Sequence, residues 1–412
     1  MNQDPAASGP APKFAAFIGM MASLMALAML GLDIMLPGLP SIARDLAIET
    51  PNVRQLVITV YALSIGGAQI IYGPLMDRYG RKPVLLAGLA GYAVFSVTAA
   101  MATTLPMLLV ARALQGAAIA SARVGAISTI RDLYNGRRMA QVVSICMLVF
   151  MASPVFAPSL GQLVLSFASW RWLFLLLAFV AIVVAIWLGL GLRETLHPEN
   201  RRAISSREIL GAFGMIMRSR QGMGYTLAGT LIFGTLSGFV NSASQLINDA
   251  LHASERFGLV FGGVSAFVAV ATVVNARMVP RLGSRVLSHG ALIVSILAAA
   301  IHLGVSLAGR ETLTSFVVLQ GISLFCFGLM GGNFGALAME PMARVAGSAA
   351  SAQGFLSMVG GALIGLVIGQ AFDGTVVPLA SGFLICGLAA LLVVAFTEQG
   401  RFFGSGLEAA GA

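Results

Sequence analysis

Twelve apolar runs, each long enough to cross the hydrocarbon of a bilayer as a helix, dominate this chain. Spanning takes roughly 20 such residues. The runs lie near 14–36, 52–73, 84–103, 106–130, 139–165, 171–192, 222–247, 257–279, 286–307, 313–338, 346–371 and 376–396. Composition removes the soluble alternative, because only 10% of the 412 residues are charged, against about 25% in a typical globular protein. A chain that apolar has too little polar cover for water, so lipid is its main solvent. In lipid each backbone N–H and C=O must be paired within its own segment, which predicts an all-α membrane protein. The first run follows Lys13, but its length and the lack of a small-residue cleavage site favour a span over a secretory signal.

Charge sets the expected orientation. With the N-terminus placed inside, 18 of the 25 Lys and Arg residues fall in inner segments. Five (Arg44, Arg54, Arg171, Arg256 and Arg310) fall outside, and Arg112 and Arg123 lie within a span. That bias predicts a multi-pass protein with both termini cytoplasmic. The net charge of +9 is spread between spans rather than gathered in a patch, so it marks topology and the lipid bilayer, not nucleic acid. Cys146, Cys326 and Cys386 lie within apolar runs, and His197, His252, His289 and His302 are scattered. Neither set has disulfide or metal spacing, and no metal is expected.

One long polar connection, containing "RETLHPENRRAISSRE", divides the spans six and six. The expected organisation is a cytoplasmic N-terminal tail (1–13), a six-helix bundle (14–192), a solvated linker without a catalytic role (193–221), a second six-helix bundle (222–397) and a cytoplasmic C-terminal tail (398–412). The two bundles are expected to be pseudo-symmetric. "DRYGRKPVL" after the second span is echoed by "PRLGSRVLS" after the eighth, which pairs Arg78 with Arg281, Gly80 with Gly283 and Lys82 with Arg285. Such repeats are common in transporters.

The stretch "GPLMDRYGRKPVLLAG" concentrates Asp77, Arg78, Arg81 and Lys82 in one short turn. Gly73 is expected to let neighbouring helices approach, Gly80 to take a positive φ, and Pro83 to start the next helix. The three cations would anchor the turn on an anionic leaflet. Asp77 is not needed for that, so it is expected to have a fixed partner, either a helix N-terminus or an arginine from another loop.

This stretch resembles the loop 2–3 signature of the major facilitator superfamily. Other segments agree in order. "LDIMLPGLPSIARDL" (Leu32 to Leu46) resembles the end of the first helix in drug:proton antiporters, and "RALQGAAIASARVGAISTIRDLY" (Arg112 to Tyr134) the fourth-helix signature. "SPVFAPSLGQLVL" followed by "WRWLF" resembles the fifth-helix antiporter signature and the start of helix six. "AMEPMARVAGSAASAQGFL" resembles the tenth-to-eleventh helix segment of the Bcr/CflA multidrug-resistance branch. The resemblance implies two six-helix bundles around a central cavity in the bacterial inner (plasma) membrane. It also implies alternating access, with proton-driven export of small amphipathic compounds. Helix five departs from the family pattern, with Ala157-Pro158 and Gly161-Gln162 where Gly-Pro and paired glycines are usual. Pro154 and Pro158 still remove backbone donors, and Gly161 still permits close packing.

Ionisable groups inside spans cost roughly 2.5–3.5 kcal/mol on insertion scales, so each needs a reason. Asp33, flanked by Leu32, Ile34, Met35 and Leu36, is expected to couple proton or substrate movement, an acid at this place being such a site in some relatives. The other reading is a carboxylate paired or solvated at the outer interface. Arg112 and Arg123 are 11 residues apart, a rotation only about 20° past three full turns, so they share a helix face. The resemblance attributes proton coupling to Arg112; Arg123 is expected either to assist or to bond to backbone or water. Arg131 and Asp132 are expected to join Asp77 in a charge lock that favours the outward-open state, or else to serve local capping. Asp249, Glu340 and Asp373 sit near helix ends and are expected to be solvated, and His289 and His302 to be structural, with no paired carboxylate. Tyr61, Gln69, Gln115, Asn241, Gln245 and Asn333 are polar within apolar spans and are candidates to line the cavity.

No nucleotide-binding motif, soluble catalytic domain, charge ring or filter loop is present in the sequence, which disfavours a pump, an enzyme or a channel. The expected activity is secondary transport by a monomer that handles small-molecule substrates and protons. The proton gradient is its energy source and it has no cofactor. A uniporter or proton-coupled transporter of a sugar, amino acid or organic acid is the remaining alternative.

Overall fold

The computed structural model describes residues 14–201 and 206–403. The tail 1–13, including Lys13, and the last part of the other tail, 404–412, lie outside the described residues, as does the 202–205 stretch of the linker. The described residues are helical and turn segments without strands, and twelve helices are long and apolar enough to cross a membrane.

Helix α1 (Phe14–Asp33) stops three residues short of the end of its apolar run. A turn and a 3₁₀ segment at Leu36–Gly38 bring Pro37 to a helix start, where its missing N–H costs nothing. The short α2 (Leu39–Asp45) follows. The remaining N-terminal helices are α3 (Leu56–Tyr79), α4 (Arg81–Ala100), α5 (Leu105–Leu133), α6 (Gly136–Leu165) and α7 (Arg171–Gly191). After the linker come α8 (Ser206–Arg218), α9 (Arg220–Gln245), α10 (Phe257–Leu282), α11 (Ser284–Leu307), α12 (Leu313–Met339), α13 (Ala346–Gln370) and α14 (Val377–Thr397). Gly80 and Gly283 end α3 and α10 with φ of +101° and +81°. The echoed motifs therefore make the same left-handed turn, a backbone state that glycine adopts without steric penalty.

Packing follows the two sequence halves. α5 packs against α3 and α4, α4 against α7, and α1 against α6. In the other half α9 packs against α13 and α14, while α12 holds α10 and α11. The halves meet through two helix pairs, α3 with α13 and α6 with α10.

The linker departs from the solvated stretch expected. α8 docks on the second half, where Ile216 is buried beside Met342, Ala349 and Ala352. Phe213 meets Phe355 edge-to-face at 5.7 Å. One apolar stripe on this short helix offsets its cost of ordering.

Candidate functional site

Two ends of the molecule carry polar structure, and a buried node lies between them. At the node, Asp33 closes α1 with only 2% of its surface exposed, and its Oδ2 has no hydrogen-bond partner among the described residues. Its neighbours Ile34, Met35 and Leu36 are fully buried. Gly161 on α6 is pressed against the turn that follows, and a Cβ there would lie 2.4 Å from the Ile34 carbonyl oxygen and 3.0 Å from the Pro37 ring. Only a residue without a side chain permits that approach. Pro154 and Pro158 sit within a continuous α6.

Arg112 is fully buried on α5. It donates from Nε to the Val57 carbonyl (3.0 Å) and from Nη1 to the Gly31 carbonyl (3.1 Å) and Gln115 Oε1 (2.8 Å). Its guanidinium lies 3.9 Å from the Tyr61 ring centroid, a cation–π contact strengthened by exclusion of water. Gln115 donates to Ser96 Oγ (2.6 Å), and Tyr61 to the Ala28 carbonyl (3.0 Å). The arginine thus ties α1, α3, α4 and α5 together two residues before Asp33, and its hydrogen bonds go to carbonyl and amide oxygens rather than to a carboxylate. Arg123 is half-buried, with its guanidinium 5.8 Å from the Phe150 ring of α6.

The six candidate cavity-lining residues lie in different parts of the fold. All six are at least nine-tenths buried. Tyr61 and Gln115 belong to the arginine node. Gln69 donates to the Met358 sulfur (3.1 Å) across the two halves. Asn333 donates to Asn275 Oδ1 (2.7 Å) within the second half. Asn241 is buried in α9.

Gln245 belongs to a seal at the end far from the termini. Gln55 donates to Gln245 and to the Gly369 carbonyl (2.9 Å). Gln245 donates to Asn52 Oδ1 (2.6 Å), and Asn52 to the Gln370 and Phe372 carbonyls (both 2.9 Å). Arg54, itself buried, pairs with Asp249. Asp249 is therefore an interdomain partner as well as a largely solvated helix-end acid. Gln162, at one of the departures from the family pattern, clamps α6 to α10. It donates to the Glu255 carbonyl (2.8 Å) and accepts from the Gly258 N–H (2.9 Å).

At the termini end, Arg81 holds Asp77 of its own motif and Asp132 at the end of α5, with Nη1 2.5 Å from Asp77 and Nε 3.1 Å from Asp132. The partner of Asp77 is thus an arginine of its own loop. The helix N-terminus is taken by Glu194 of the linker, which accepts from the N–H groups of Arg81 (2.9 Å) and Lys82 (3.2 Å). Its carboxylate would lie 2.4 Å from a Cβ on Gly80. Lys82 Nζ donates to the Gly189 carbonyl (2.7 Å). Arg131 has no ionic partner among the described residues; Arg78 lies 5.2 Å from its neighbour's ring, Tyr79. A Cβ on Gly73 would meet nothing within 4 Å, so the close helix approach expected there is not made. These contacts lie within the N-terminal half and its linker, so they do not lock the two halves together here.

The second half has a matching node. Arg285 lies 2.9 Å from Glu340 and 3.0 Å from Glu398. Tyr225 donates to Glu398 (2.6 Å) and lies 3.0 Å from His289 Nε2. Glu340 is thus ion-paired while staying half-exposed, and His289 has a carboxylate one hydroxyl away. His302 Nε2 lies 3.5 Å from Glu311 without a hydrogen bond among the described residues. Asp373 does stay local, accepting from the Thr375 N–H (2.9 Å). Sequence reading missed Asn52, Gln55, Gln162 and Glu194. Their polarity at span ends was visible, but their partners lie 92 to 320 positions away.

Twelve helices able to span a membrane, in two packed sets, define a multi-pass membrane protein. The family model described as Major Facilitator Superfamily matches residues 21–365, and the chain belongs to that superfamily. It is 28% identical over 385 residues to the uncharacterized MFS-type transporter YdgK of Bacillus subtilis, covering 93% of each chain. It is 26% identical to a bicyclomycin resistance protein homolog of Haemophilus influenzae, over 89% of this chain and 92% of the relative. Identity is 29% to the multidrug resistance protein MdtL of Escherichia coli O157:H7, over 90% and 93%.

Proposed function

We propose that this transporter exports small amphipathic compounds in exchange for protons, by alternating access, from the cytoplasm of a bacterium across its inner membrane. Both termini are cytoplasmic in this reading, which places the Asn52–Gln55–Gln245 seal on the outside and makes the described state inward-facing. The resistance-protein relatives support the substrate class.

The observation that carries the reading is Asp33, a buried acid with an unpartnered oxygen at the turn gripped by Gly161. A carboxylate there bears a desolvation penalty that a proton or a cationic passenger relieves. The same helix, α6, contacts the other half at Gln162 and at Gly262, where a Cβ would meet the Val155 carbonyl at 2.7 Å. A change of occupancy at Asp33 therefore reaches the seal through one rigid element. Asp33 loads a proton when the outer seal is open and releases it inward after closure, and substrate moves the opposite way. Arg112 positions the end of α1 through the Gly31 carbonyl.

Purified protein in liposomes with an imposed pH gradient tests this. Cationic dyes and chloramphenicol-like compounds should move against their gradient in the wild type. Asp33→Asn should lose uphill movement yet keep substrate counterflow. Equal flux with and without the gradient would overturn the exchange mechanism and favour a uniporter.

A further inference from the structure

The second half carries an apolar groove that the transport reading does not use. α10 and α11 both pack on α12 but hardly on each other. A cavity of about 300 Å³ opens between them, lined by Phe267, Leu282, Val286, Gly290, Val294 and Phe325 among others. Leu282 and Val294 are 44% and 48% exposed, so in a membrane the groove opens to lipid. From Val286 to Val294 the lining runs eight residues, about 12 Å along α11. Half the hydrocarbon thickness is about 15 Å, so the groove covers most of one leaflet, starting at the termini end.

Two arginines of α10 stand next to its termini end in sequence. Arg281 immediately precedes Leu282, and Arg277 lies one turn earlier on the same stripe of α10. Both are exposed, and neither has an acidic partner among the described residues. The nearby acids Glu340 and Glu398 are already held by Arg285. Shape and charge together describe one molecule, with an apolar tail about a leaflet long and a negative head at the interface.

We propose that this groove is a binding site for an anionic phospholipid of the leaflet at the termini end, with an acyl chain along α11 and its phosphate at Arg277 and Arg281. The site is independent of the Asp33 node, so its test does not depend on the exchange mechanism. Arginines near an anionic surface each contribute about fivefold in binding.

Native mass spectrometry of the full chain tests the site. The probes are phosphatidylglycerol and phosphatidylcholine with identical acyl chains. The wild type should retain one phosphatidylglycerol that Gly290→Phe loses, since an added Cβ at Gly290 meets nothing within 4 Å and the ring fills the groove. Gly290→Leu serves if the larger side chain prevents folding. Arg277→Gln with Arg281→Gln should weaken phosphatidylglycerol retention on the order of tenfold and leave phosphatidylcholine unchanged, while Leu297→Phe, outside the groove, should retain lipid as the wild type does. Undiminished retention in the groove-filling variants, equal retention of both lipids, or a dimer mass that Gly290→Phe abolishes would each overturn the proposal, the last by showing that a second copy covers the groove.

Discussion

Gly161 and Ile34 are in backbone contact. The α carbon of Gly161 in α6 and the carbonyl in the turn after α1 approach so closely that a Cβ on Gly161 would sit 2.4 Å from the Ile34 oxygen. Gly161→Val should therefore drive α6 from the turn beside Asp33. Uphill transport should fall at least tenfold at unchanged membrane abundance, and the smaller Gly161→Ala should show an intermediate loss. Full activity of the valine variant would remove the link between α6 and Asp33.

Arg54 and Asp249 close the far end together with the amide ring. Asp249→Asn leaves the buried Arg54 without its counter-charge, and unpaired buried charges are costly. Distances between spin labels on the far-end loops should show a larger open population. The shift should be on the order of tenfold, allowing for the partial exposure of Asp249. Gln162→Ala should act in the same direction and more weakly. Unchanged distance distributions in both variants would exclude a sealing role.

Arg81 bridges two acids from two helices. Lysine offers one point charge and cannot reproduce the forked contact with Asp77 and Asp132. Arg81→Lys should cut turnover at least tenfold while leaving substrate binding near wild type. Glu194→Gln weakens only the cap on α4 and should lower stability by about 1 kcal/mol, read as a drop in Tm.

Glu398 lies just beyond α14 and gives the C-terminal half a pH-dependent clamp. Burial alone would raise its pKa, but hydrogen bonds from Tyr225 and Arg285 outweigh that and hold it below the ordinary 4.5. A depressed carboxylate stabilises the fold fully above that value, and the contribution fades as pH falls through the folded-state pKa. Thermal unfolding of the detergent-solubilised protein should therefore lose stability below about pH 4.5. Glu398→Gln should be less stable at neutral pH and should show a smaller acid-side decline. Parallel pH profiles would contradict the clamp.

The sequence was read correctly where local rules suffice. All twelve apolar runs are helices, and Gly80 takes the positive φ expected, with Gly283 of the echoed motif making the matching turn. Misreadings arose where a side chain's partner is distant in the chain. The ion pairs of Asp249 and Glu340, both half-exposed, were not foreseen because their arginines, Arg54 and Arg285, are 195 and 55 residues away. Glu194 was passed over with its linker. Gln245 was assigned to a cavity, yet it faces Gln55 and Asn52 across the interface between the halves.

Taken alone, the residue order determined that this chain has twelve helices able to span a membrane, roughly where each begins and ends, and that an acid and two arginines fall in or beside those spans. These follow from hydropathy, chain-local backbone pairing and the restrictions of proline and glycine, all of which act over a few residues. Only the tertiary structure decided that Arg112 binds carbonyls instead of a carboxylate, that Arg81 rather than Arg131 gathers the acids, and that the far end is closed by neutral amides. Hydrogen bonds and ion pairs are short-ranged and directional, so their partners emerge only when helix packing brings remote segments within about 3 Å.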